Sequence, residues 1–432
     1  MSEYRIAGRR NVMPEFRMEI GQKSVQVSIP EEKVLGILTG PDITAMPEQD
    51  IKNHISRSIV ESPPRNISSA QILIIVPDHT RLWARGSIYV PVLLDSLISA
   101  GAQEQRIRVM IALGTHESMP DDKLGTLVGA ETPGRVKVLN SANRDSRRLT
   151  RIGTTSHGTD FDITAEACEA DHVIIFGGVL HHVIAGFGGG RKYILPGIAG
   201  YDSIQQNHSL AMLKDGSPNP RVTQAVLEGN PVHLDMTEAA SLYLKERTSQ
   251  LTAVAANGRG ELFYVGSGDW QDTFTEGCAQ VDRAGRIPIT EKADFAIISA
   301  GGHEKDGQLY QSTKALFNTY NAIKDGGKIL MFAECRDGVG NGEFGTCLSQ
   351  YRGRVSDLGR KLNETFTMPS YVAFRVADIL SRYEVTLVSG FSRADTENFG
   401  FMYTDSIESY ISGLTGRGYI IPSAENILPM IK

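Results

Sequence analysis

The residues best suited to acid–base chemistry in this chain are histidines that stand in short polar clusters. One cluster reads Asp78-His79-Thr80-Arg81, a second ends at His116, and a third begins with the adjacent pair His181-His182. Histidine titrates near neutral pH, so paired histidines suit proton transfer to and from a substrate. Singly, Asp78, Arg81 and His116 resemble ordinary turn or surface residues, but adjacent histidines before a glycine cluster favour a function.

A glycine-rich segment carrying two cations follows the third cluster. Residues 186–192 read Gly-Phe-Gly-Gly-Gly-Arg-Lys. Successive glycines expose backbone N–H groups that can bind phosphate, and the two cations add charge. The segment is not a Walker A loop, because Tyr193 follows the lysine, and no dinucleotide fingerprint opens a helix here. The pattern predicts a phosphate-bearing cofactor; its expected contacts are Gly188, Gly189, Gly190, Arg191 and Lys192.

Composition and charge exclude several classes of protein. The chain has 432 residues and a net charge of 44 − 50 = −6, which disfavours nucleic acid and anionic membranes as partners. No apolar run approaches the ~20 residues of a membrane span, and the N-terminus has no apolar core of a signal peptide. The four cysteines form no C-x-x-C pair. A cytoplasmic location is therefore the default expectation.

Hydrophobic periodicity supplies the elements that position these clusters. Residues 71–77 are an apolar run typical of a buried strand, and the apolar positions from Val90 to Ile98 have helical spacing. Residues 107–113 then predict a second strand, which completes a βαβ unit and implies a parallel sheet. Further strands are predicted at 135–139 and 172–176. His208 falls on a predicted helix after Gly200.

A second α/β series begins near residue 290, so we predict two domains with mainly parallel, Rossmann-like sheets and an active-site cleft between them. Residues 1–275 form the N-terminal domain, with the tail 415–432 returning to it, and residues 288–412 form the C-terminal domain. The stretch 258–288 is interpreted as the crossing between them. The polar clusters follow the C-terminal ends of predicted strands, where open α/β sheets bind ligands.

These residues alone predict an α/β enzyme for a small anionic substrate, with a phosphorylated cofactor, and do not name the reaction. Several blocks, however, resemble the lactate racemase family, which uses a nickel-pincer nucleotide. They are Asp78–Arg81, Gly114–His116, His182–Gly197, Asn207-His208, Gly229–Pro231 and Tyr310–Lys314. The segment from His182 to Lys192 is the most specific, and the resemblance runs from Gly21 to the tail near Pro429.

The resemblance implies a role for each matching residue. It makes His116 and His182 the catalytic histidines, Lys192 the attachment point of the nucleotide, and His208 the protein ligand of nickel. It implies that Arg81 and Lys314 bind the substrate carboxylate and that Asp78 and Gln311 lie beside the cofactor. It further implies a racemase or epimerase of a 2-hydroxy acid that works by hydride transfer, together with cofactor-synthesis proteins as partners.

Departures from the family pattern bear on the substrate. Trp83, Arg85, Glu117, His79 and His303 stand near the predicted site, and together they predict a substrate more polar than lactate. Two other functions stay open: a non-catalytic binding or delivery protein for the nickel cofactor or a small carboxylate, and a dehydrogenase of 2-hydroxy acids. A binding protein would need neither catalytic histidine, and the dehydrogenase lacks a dinucleotide fingerprint.

Overall fold

The computed structural model describes residues 13–303 and 305–432, and it divides into two compact units. The central unit comprises residues 41–284. The terminal unit comprises residues 1–40 and 285–432, of which 1–12 and 304 lie outside the described residues.

The strands, in chain order, are β1 (Glu15–Ile20), β2 (Lys23–Ser28), β3 (Val34–Ile37), β4 (Ile72–Pro77), β5 (Ile107–Ala112), β6 (Lys137–Asn140), β7 (Leu149–Thr154), β8 (Asp160–Thr164), β9 (His172–Gly178), β10 (Leu180–His182), β11 (Gly186–Gly188), β12 (Thr248–Ala256), β13 (Leu262–Gly268), β14 (Arg286–Ile289), β15 (Ala293–Ser299), β16 (Ile323–Phe332), β17 (Glu384–Val388), β18 (Gly418–Ile421) and β19 (Leu428–Ile431). The α-helices are α1 (Glu48–Glu61), α2 (Gly86–Ser99), α3 (Gly125–Val128), α4 (Thr132–Arg135), α5 (Tyr201–Ser209), α6 (Pro231–Leu244), α7 (Trp270–Gly285), α8 (Leu309–Thr319), α9 (Gly342–Gln350), α10 (Val355–Glu364), α11 (Met368–Arg382), α12 (Arg393–Asn398) and α13 (Ile407–Ser412).

The central unit is built on a six-stranded sheet in the order β13-β12-β9-β4-β5-β6. Its strands are parallel except for β13, which pairs antiparallel with β12. In chain order, β5 and then β6 are added on one side of β4, and β9 is added on the other side of β4. The order of the strands thus reverses between β4 and β9, which is where doubly wound sheets bind their ligands.

The terminal unit contains a parallel five-stranded sheet in the order β17-β16-β15-β18-β3. The tail strand β18 is fully buried between β15 and β3. The prediction that the tail returns to the N-terminal domain is therefore wrong. The described residues before 41 also belong to this unit, although the sequence assigned them to the N-terminal domain. A short apolar strand carries no local information about which sheet receives it.

The predicted α/β class with mainly parallel sheets is confirmed, and β4, α2, β5 and β9 lie where the periodicity placed them. The interpretation of residues 258–288 as a crossing is wrong, because this stretch forms β13 and α7. The apolar residues Phe274, Cys278 and Val281 recur at helical spacing and are buried. Among the described residues, the structure contains no helix long and apolar enough to cross a membrane.

Candidate active site

A short hydrogen bond at the reversal point of the central sheet joins Asp78, directly after β4, to His116 in the turn after β5. Asp78 Oδ2 lies 2.5 Å from His116 Nδ1. Asp78 is only 4% exposed, and its Oδ1 accepts hydrogen bonds from the backbone N–H and hydroxyl of Thr80 at 3.1 and 2.6 Å. The carboxylate thus caps the short 3₁₀ turn His79–Ala84 and holds the imidazole at the same time.

The electrostatics keep this carboxylate ionised. Burial raises the pKa of Asp78, but the hydrogen bonds from His116 and Thr80 outweigh burial, and the net shift is downward. An ionised carboxylate only accepts hydrogen bonds, so His116 donates Nδ1–H to it, and Nε2 is the ring nitrogen left to accept a proton. This is the arrangement of a histidine prepared to take a proton.

The turn that carries His116 is fastened by a buried asparagine. Asn143 donates from Nδ2 to the carbonyls of Gly114 at 2.7 Å and His116 at 3.1 Å. The N–H of Gly114 donates to the carbonyl of Gly197 at 2.9 Å, at a φ of +58° that favours glycine. The side chain of His116 is half exposed while its backbone is held, so its position is determined by the fold.

The adjacent histidines His181 and His182 lie on the short strand β10, whose side chains alternate between two faces. His181 Nε2 lies 2.7 Å from Asp282 Oδ1 on α7, and the ring packs on Phe187 with a centroid separation of 5.1 Å. His182 instead accepts, at Nδ1, the backbone N–H groups of Ile184 and Ala185, both at 3.3 Å. The two histidines therefore have separate roles, and His181 is engaged by a helix.

Lys192 and His208 share one electrostatic neighbourhood with His182 and Arg81. Burial, followed by the charges of Arg81 and Arg191, lowers the pKa of Lys192 to about 7. Burial and the charge of Lys192 lower the pKa of His208 to about 3. Burial and the charges of Lys192, Arg81 and His208 hold the pKa of His182 well below its usual range. The structure thus brings these four predicted residues together.

His208, on α5, is oriented by a buried chain of hydrogen bonds. Its Nδ1 lies 3.0 Å from Asn207 Oδ1, and Asn207 donates from Nδ2 to Asp235 Oδ2 at 2.7 Å. Asp235 is fully buried and also accepts hydrogen bonds from the hydroxyl groups of Thr155 and Thr159. The Asn207 amide is oriented because its nitrogen faces a carboxylate, so its oxygen receives Nδ1–H of His208.

The structure gives Arg191 a role other than the predicted phosphate contact. The guanidinium is fully buried and donates to the carbonyls of Phe187, Gly189 and Ala185 at 2.9, 3.2 and 2.8 Å. Its Nε donates to His233 Nδ1 at 3.0 Å. Burial lowers the pKa of Arg191 to about 9. The side chain therefore fastens the glycine-rich segment to the protein.

Packing also accounts for the glycines of this segment. Gly189 has a φ of +96°, and a Cβ there would lie 2.8 Å from the Gly178 carbonyl oxygen. A Cβ at Gly190, whose φ is +54°, would lie 2.9 Å from the Phe274 ring. Residues 186–191 are buried throughout. These glycines are required for close approach to the end of β9 and to α7, and a phosphate nest is not needed to explain them.

Of the residues predicted to select a polar substrate, His79 lies beside the pair formed by Asp78 and His116. Its Nδ1 is 3.8 Å from Asp78 Oδ2, and its ring centroid is 6.2 Å from that of His116. Arg85 lies 3.8 Å from Glu48 on α1. Trp83 packs over Gly178, where a Cβ would clash with its ring. Glu117 is exposed, and His303 belongs to the terminal unit.

Gln311 and Lys314 lie on α8 of the terminal unit, and both are exposed. Lys314 Nζ lies 3.3 Å from Glu425 Oε1 in the same unit. Their predicted contacts with cofactor and substrate stay predictions.

Comparison of the chain with known proteins shows which family it belongs to. The family model described as the lactate racemase N-terminal domain matches residues 20–219, and the C-terminal domain model matches residues 289–414. The lactate racemase of Lactiplantibacillus plantarum is 31% identical over 348 residues, which cover 79% of this chain and 78% of that protein. The chain belongs to the lactate racemase family. The predicted family and the predicted isomerase class are confirmed.

A sequence and a solved structure from Thermoanaerobacterium thermosaccharolyticum are also similar to this lactate racemase family member. The lactate racemase of that organism is 29% identical over 399 residues, which cover 90% of each chain. A solved structure described as its lactate racemase apoprotein has a TM-score of 0.84 at 24% identity and covers 96% of this chain and 100% of that one. The likeness to the solved structure supports the two-unit α/β fold.

Sequence reasoning on this lactate racemase family member missed two residues that hold the site. Asn143 comes three residues after β6, and Asp235 is an acidic residue on the buried face of α6. A polar residue after a strand end was an available signal for Asn143. Asp235 had no comparable signal, because an acidic residue on a helix is usually exposed.

Proposed function

We propose that this enzyme interconverts the two enantiomers of a 2-hydroxy acid. The observation that supports it best is the buried, ionised Asp78 bonded to Nδ1 of His116, which leaves Nε2 as a proton acceptor. Arg81, three residues after Asp78, is a candidate for binding the substrate carboxylate. A carrier of cofactor or carboxylate would have no need of such a pair, and relatives of this chain are named lactate racemases.

The chemistry of the substrate explains this set of groups. Removing the C2 proton from a 2-hydroxy acid would place a carbanion beside a carboxylate that is already negative. Taking the hydroxyl proton while hydride leaves C2 avoids that charge and gives a planar 2-keto acid. Hydride that returns to the other face completes the inversion. The side chains must therefore bind the carboxylate, move the hydroxyl proton and hold the oxygen.

The cofactor that we propose is a nickel-pincer nucleotide covalently joined to Lys192, with His208 as the protein ligand to nickel. Two features support the fit. The pKa of Lys192 falls to about 7, so its amine is substantially neutral and nucleophilic at neutral pH. His208 donates from Nδ1 to Asn207, which orients the ring, and imidazole suits nickel. When bound, the group supplies a reversible hydride acceptor.

The described residues contain no group of three or more His, Cys, Asp and Glu side chains that could hold a metal ion. A metal at this site would therefore need ligands from elsewhere, which a nucleotide with sulfur donors would provide. Gln311 and Lys314 remain proposed contacts of cofactor and substrate carboxylate.

Coexpression tests the cofactor. The protein is produced with and without cofactor-synthesis proteins, and a peptide containing Lys192 is examined by mass spectrometry while nickel is measured in the intact protein. We expect added mass on Lys192 and bound nickel only after coexpression, and neither in Lys192→Arg. Full racemase activity in unmodified, nickel-free protein would contradict the proposal.

For the substrate, lactate is the natural first choice, and we propose a preference for a more polar 2-hydroxy acid. The supporting residue is His79, whose imidazole lies near both Asp78 and His116 and is half exposed. Its ring could donate a hydrogen bond to a hydroxyl or a second carboxylate beyond C2. A methyl group offers no such partner, and discrimination against one methyl is limited to ~1–3 kcal/mol.

Kinetics on a panel of substrates tests this preference. Values of kcat/KM are compared for lactate, malate, 2-hydroxyglutarate and aldonic acids in the wild type and in His79→Ala. Arg85→Ala is the matched control, because Arg85 lies beside Glu48. We expect His79→Ala to lower kcat/KM for the polar substrate and leave lactate nearly unchanged, and Arg85→Ala to change neither. A clear preference for lactate in all three proteins would refute the polar-substrate proposal.

A further inference from the structure

We propose that Arg144 determines substrate specificity by binding a second anionic group, a carboxylate or a phosphate, at the end of the 2-hydroxy acid remote from C1. This role rests on the proposed racemase function and names the substrate class of that site. His79 supports only a hydrogen bond to a polar tail, whereas Arg144 adds a positive charge. Three features of the central unit carry the assignment: the fastened backbone beside Arg144, the aromatic ring under its guanidinium, and the absence of an acidic partner among the described residues.

The backbone beside Arg144 is fastened both to the turn of His116 and to helix α5. The preceding residue, Asn143, donates from Nδ2 to the carbonyl of His116 at 3.1 Å. The carbonyl of Asn143 accepts the N–H of Tyr201, the first residue of α5, at 2.7 Å. Asn143 itself is 8% exposed. Arg144 therefore follows directly after a buried contact with the turn that carries His116, and the fold determines where its side chain begins.

The side chain of Arg144 is positioned by an aromatic ring. Its Cζ lies over the ring of Tyr201, 3.9 Å from the ring centroid. A planar guanidinium on an aromatic face keeps its N–H groups in its own plane, where they stay available to an oxyanion. Arg144 is exposed and Tyr201 is half-buried. The contact thus restricts a long side chain without neutralising its charge.

Arg144 differs from the arginines that follow it in having no acidic partner. Arg147 pairs with Asp145 at 2.9 Å, and Arg148 pairs with Glu166 at 2.7 Å. In the part of the chain that the structure describes, no carboxylate forms an ion pair with Arg144. Stabilisation of α5 does not explain the residue either, because the helix dipole opposes a cation at a helix N-terminus. A guanidinium that is positioned, exposed and unpaired is suited to bind an anion from solution.

Helix α5 connects the position of Arg144 to His208. Tyr201, Gln205 and His208 follow one another at intervals of four and three residues, so they lie on one face of the helix. Tyr201 and His208 are roughly 10 Å apart along the helix axis. Between them, Gln205 Oε1 is buried and has no hydrogen-bond partner among the described residues. A hydroxyl group of a bound ligand would satisfy this acceptor. The face therefore leads from the guanidinium to the proposed nickel ligand.

Two arginines are thus connected to the pair formed by Asp78 and His116, one for each end of a substrate. Arg81 follows Asp78 by three residues and donates to the carbonyl and hydroxyl of Thr80, at 2.9 and 3.2 Å. It is the proposed partner of the C1 carboxylate, which leaves Arg144 for the distal end. Lactate has only a methyl group there, whereas a second anion would gain charge-assisted hydrogen bonds. The substrate class is therefore a 2-hydroxy dicarboxylate or a phosphorylated 2-hydroxy acid.

Kinetics of the holoenzyme on substrates that differ at the distal end test this role. Values of kcat and KM are measured with lactate, gluconate, malate, 2-hydroxyglutarate and 3-phosphoglycerate. We expect the highest kcat/KM for an anionic tail: malate or 2-hydroxyglutarate would indicate a carboxylate, and 3-phosphoglycerate a phosphate. Arg144→Gln should lower kcat/KM for that substrate about 10–100-fold more than for lactate, mainly through KM, because it removes hydrogen bonds from a charged donor. Arg144→Lys, which keeps the charge, should restore part of the loss.

Arg147→Gln is the matched control, because it removes a neighbouring exposed arginine that is engaged by Asp145. It should leave the ratio of kcat/KM between the anionic substrate and lactate unchanged. A wild-type preference for lactate or gluconate would overturn the assignment of Arg144. Equal losses on the anionic substrate and on lactate in Arg144→Gln would overturn it as well.

Binding of unreactive acids separates the role of Arg144 from the proposed function. Succinate, glutarate and 3-phosphonopropionate carry two anionic groups and no 2-hydroxyl, whereas propionate and butyrate carry one. Calorimetric titration of the coexpressed protein should show at least about tenfold tighter binding of an acid with two anionic groups, and Arg144→Gln should remove the difference. Equal binding of both kinds of acid to the wild type would overturn the role of Arg144, even in an active racemase. Arg144-dependent binding in a protein without racemase activity would refute the proposed function and leave the anion site intact.

Discussion

Asn207 Oδ1 lies 3.0 Å from Nδ1 of His208, and the amide nitrogen of the same asparagine donates to Asp235. The carboxylate of Asp235, which lies 27 residues after His208 in the chain, fixes the orientation of the Asn207 amide. It thereby determines that Nδ1 of His208 donates to Asn207. Partners of this kind orient metal-binding histidines in many proteins and contribute to metal affinity.

We predict that Asp235→Asn weakens nickel retention by about 10–100-fold, the usual effect of losing such a partner. The new amide would place an NH₂ group against Asn207 or a threonine that also donates, so Asn207 would no longer be held in one orientation. Nickel loss is measured during dialysis of protein produced with the cofactor-synthesis proteins.

Glu238→Gln is the matched control for that experiment, because it makes the same change on the same helix at the surface, where Glu238 bonds to Ser156. Asp235→Asn should also lower the free energy of unfolding by about 2 kcal/mol or more, since it disrupts buried charged hydrogen bonds. Wild-type nickel retention in Asp235→Asn would contradict the role assigned to this chain.

Lys192 should react with amine-directed reagents at neutral pH in protein made without the cofactor. Its pKa is lowered to about 7, whereas a free lysine amine titrates near 10.4. The rate of acylation of the Lys192 peptide, followed by mass spectrometry, should rise through a midpoint near pH 7. Lys192→Arg is the control, because the variant has no lysine amine at this position and the corresponding peptide should not be acylated there. A midpoint above pH 9 would show that the amine is not perturbed.

The same shift gives stability a pH dependence whose sign follows from proton counting. The folded pKa lies below the unfolded one, so between about pH 7 and 10.5 the unfolded chain binds more protons at Lys192. The free energy of unfolding of the wild type should therefore rise with pH across this window relative to Lys192→Met. Urea titrations of the two proteins at several pH values measure the difference, and parallel curves would contradict it.

Asp78→Asn should abolish most turnover while the protein stays folded. An asparagine can present N–H to His116 Nδ1, which moves the ring proton to Nε2 and removes the proton acceptor. We expect kcat to fall by about 10²–10⁴-fold, as general-base catalysis is lost. Asp282→Asn makes the same substitution at the His181 pair and should leave kcat within a few-fold of wild type. Similar losses in both variants would show that the Asp78 effect is not specific.

Arg191→Met should destabilise the central unit strongly, because it removes the hydrogen bonds that the buried guanidinium donates to the carbonyls of Ala185, Phe187 and Gly189. Because a hydrogen bond to a charged group contributes ~1.5–3 kcal/mol, losing three of them should lower the free energy of unfolding by about 3 kcal/mol or more. Arg85→Ala, at an exposed arginine 3.8 Å from Glu48, should change stability by less than ~1 kcal/mol. Chemical denaturation measures both, and a wild-type midpoint in Arg191→Met would contradict the structural role.

The local pattern of the sequence determined the elements that carry the site. Apolar periodicity located β4, α2 and β5, and the position of Asp78 and His116 after adjacent strands predicted that they lie at one edge of the sheet. His208 was correctly placed on a helix. These features depend on nearest neighbours along the chain, which is why sequence alone could predict them.

Tertiary structure alone decided what each polar side chain does. It paired Asp78 with His116, and it separated His181 from His182 by giving them different hydrogen-bond partners. It buried Arg191 against carbonyls, placed the tail strand in the terminal sheet, and brought Asp235 under His208. Hydrogen-bond partners are set by three-dimensional distances of a few ångströms between residues far apart in sequence, and no local pattern encodes them.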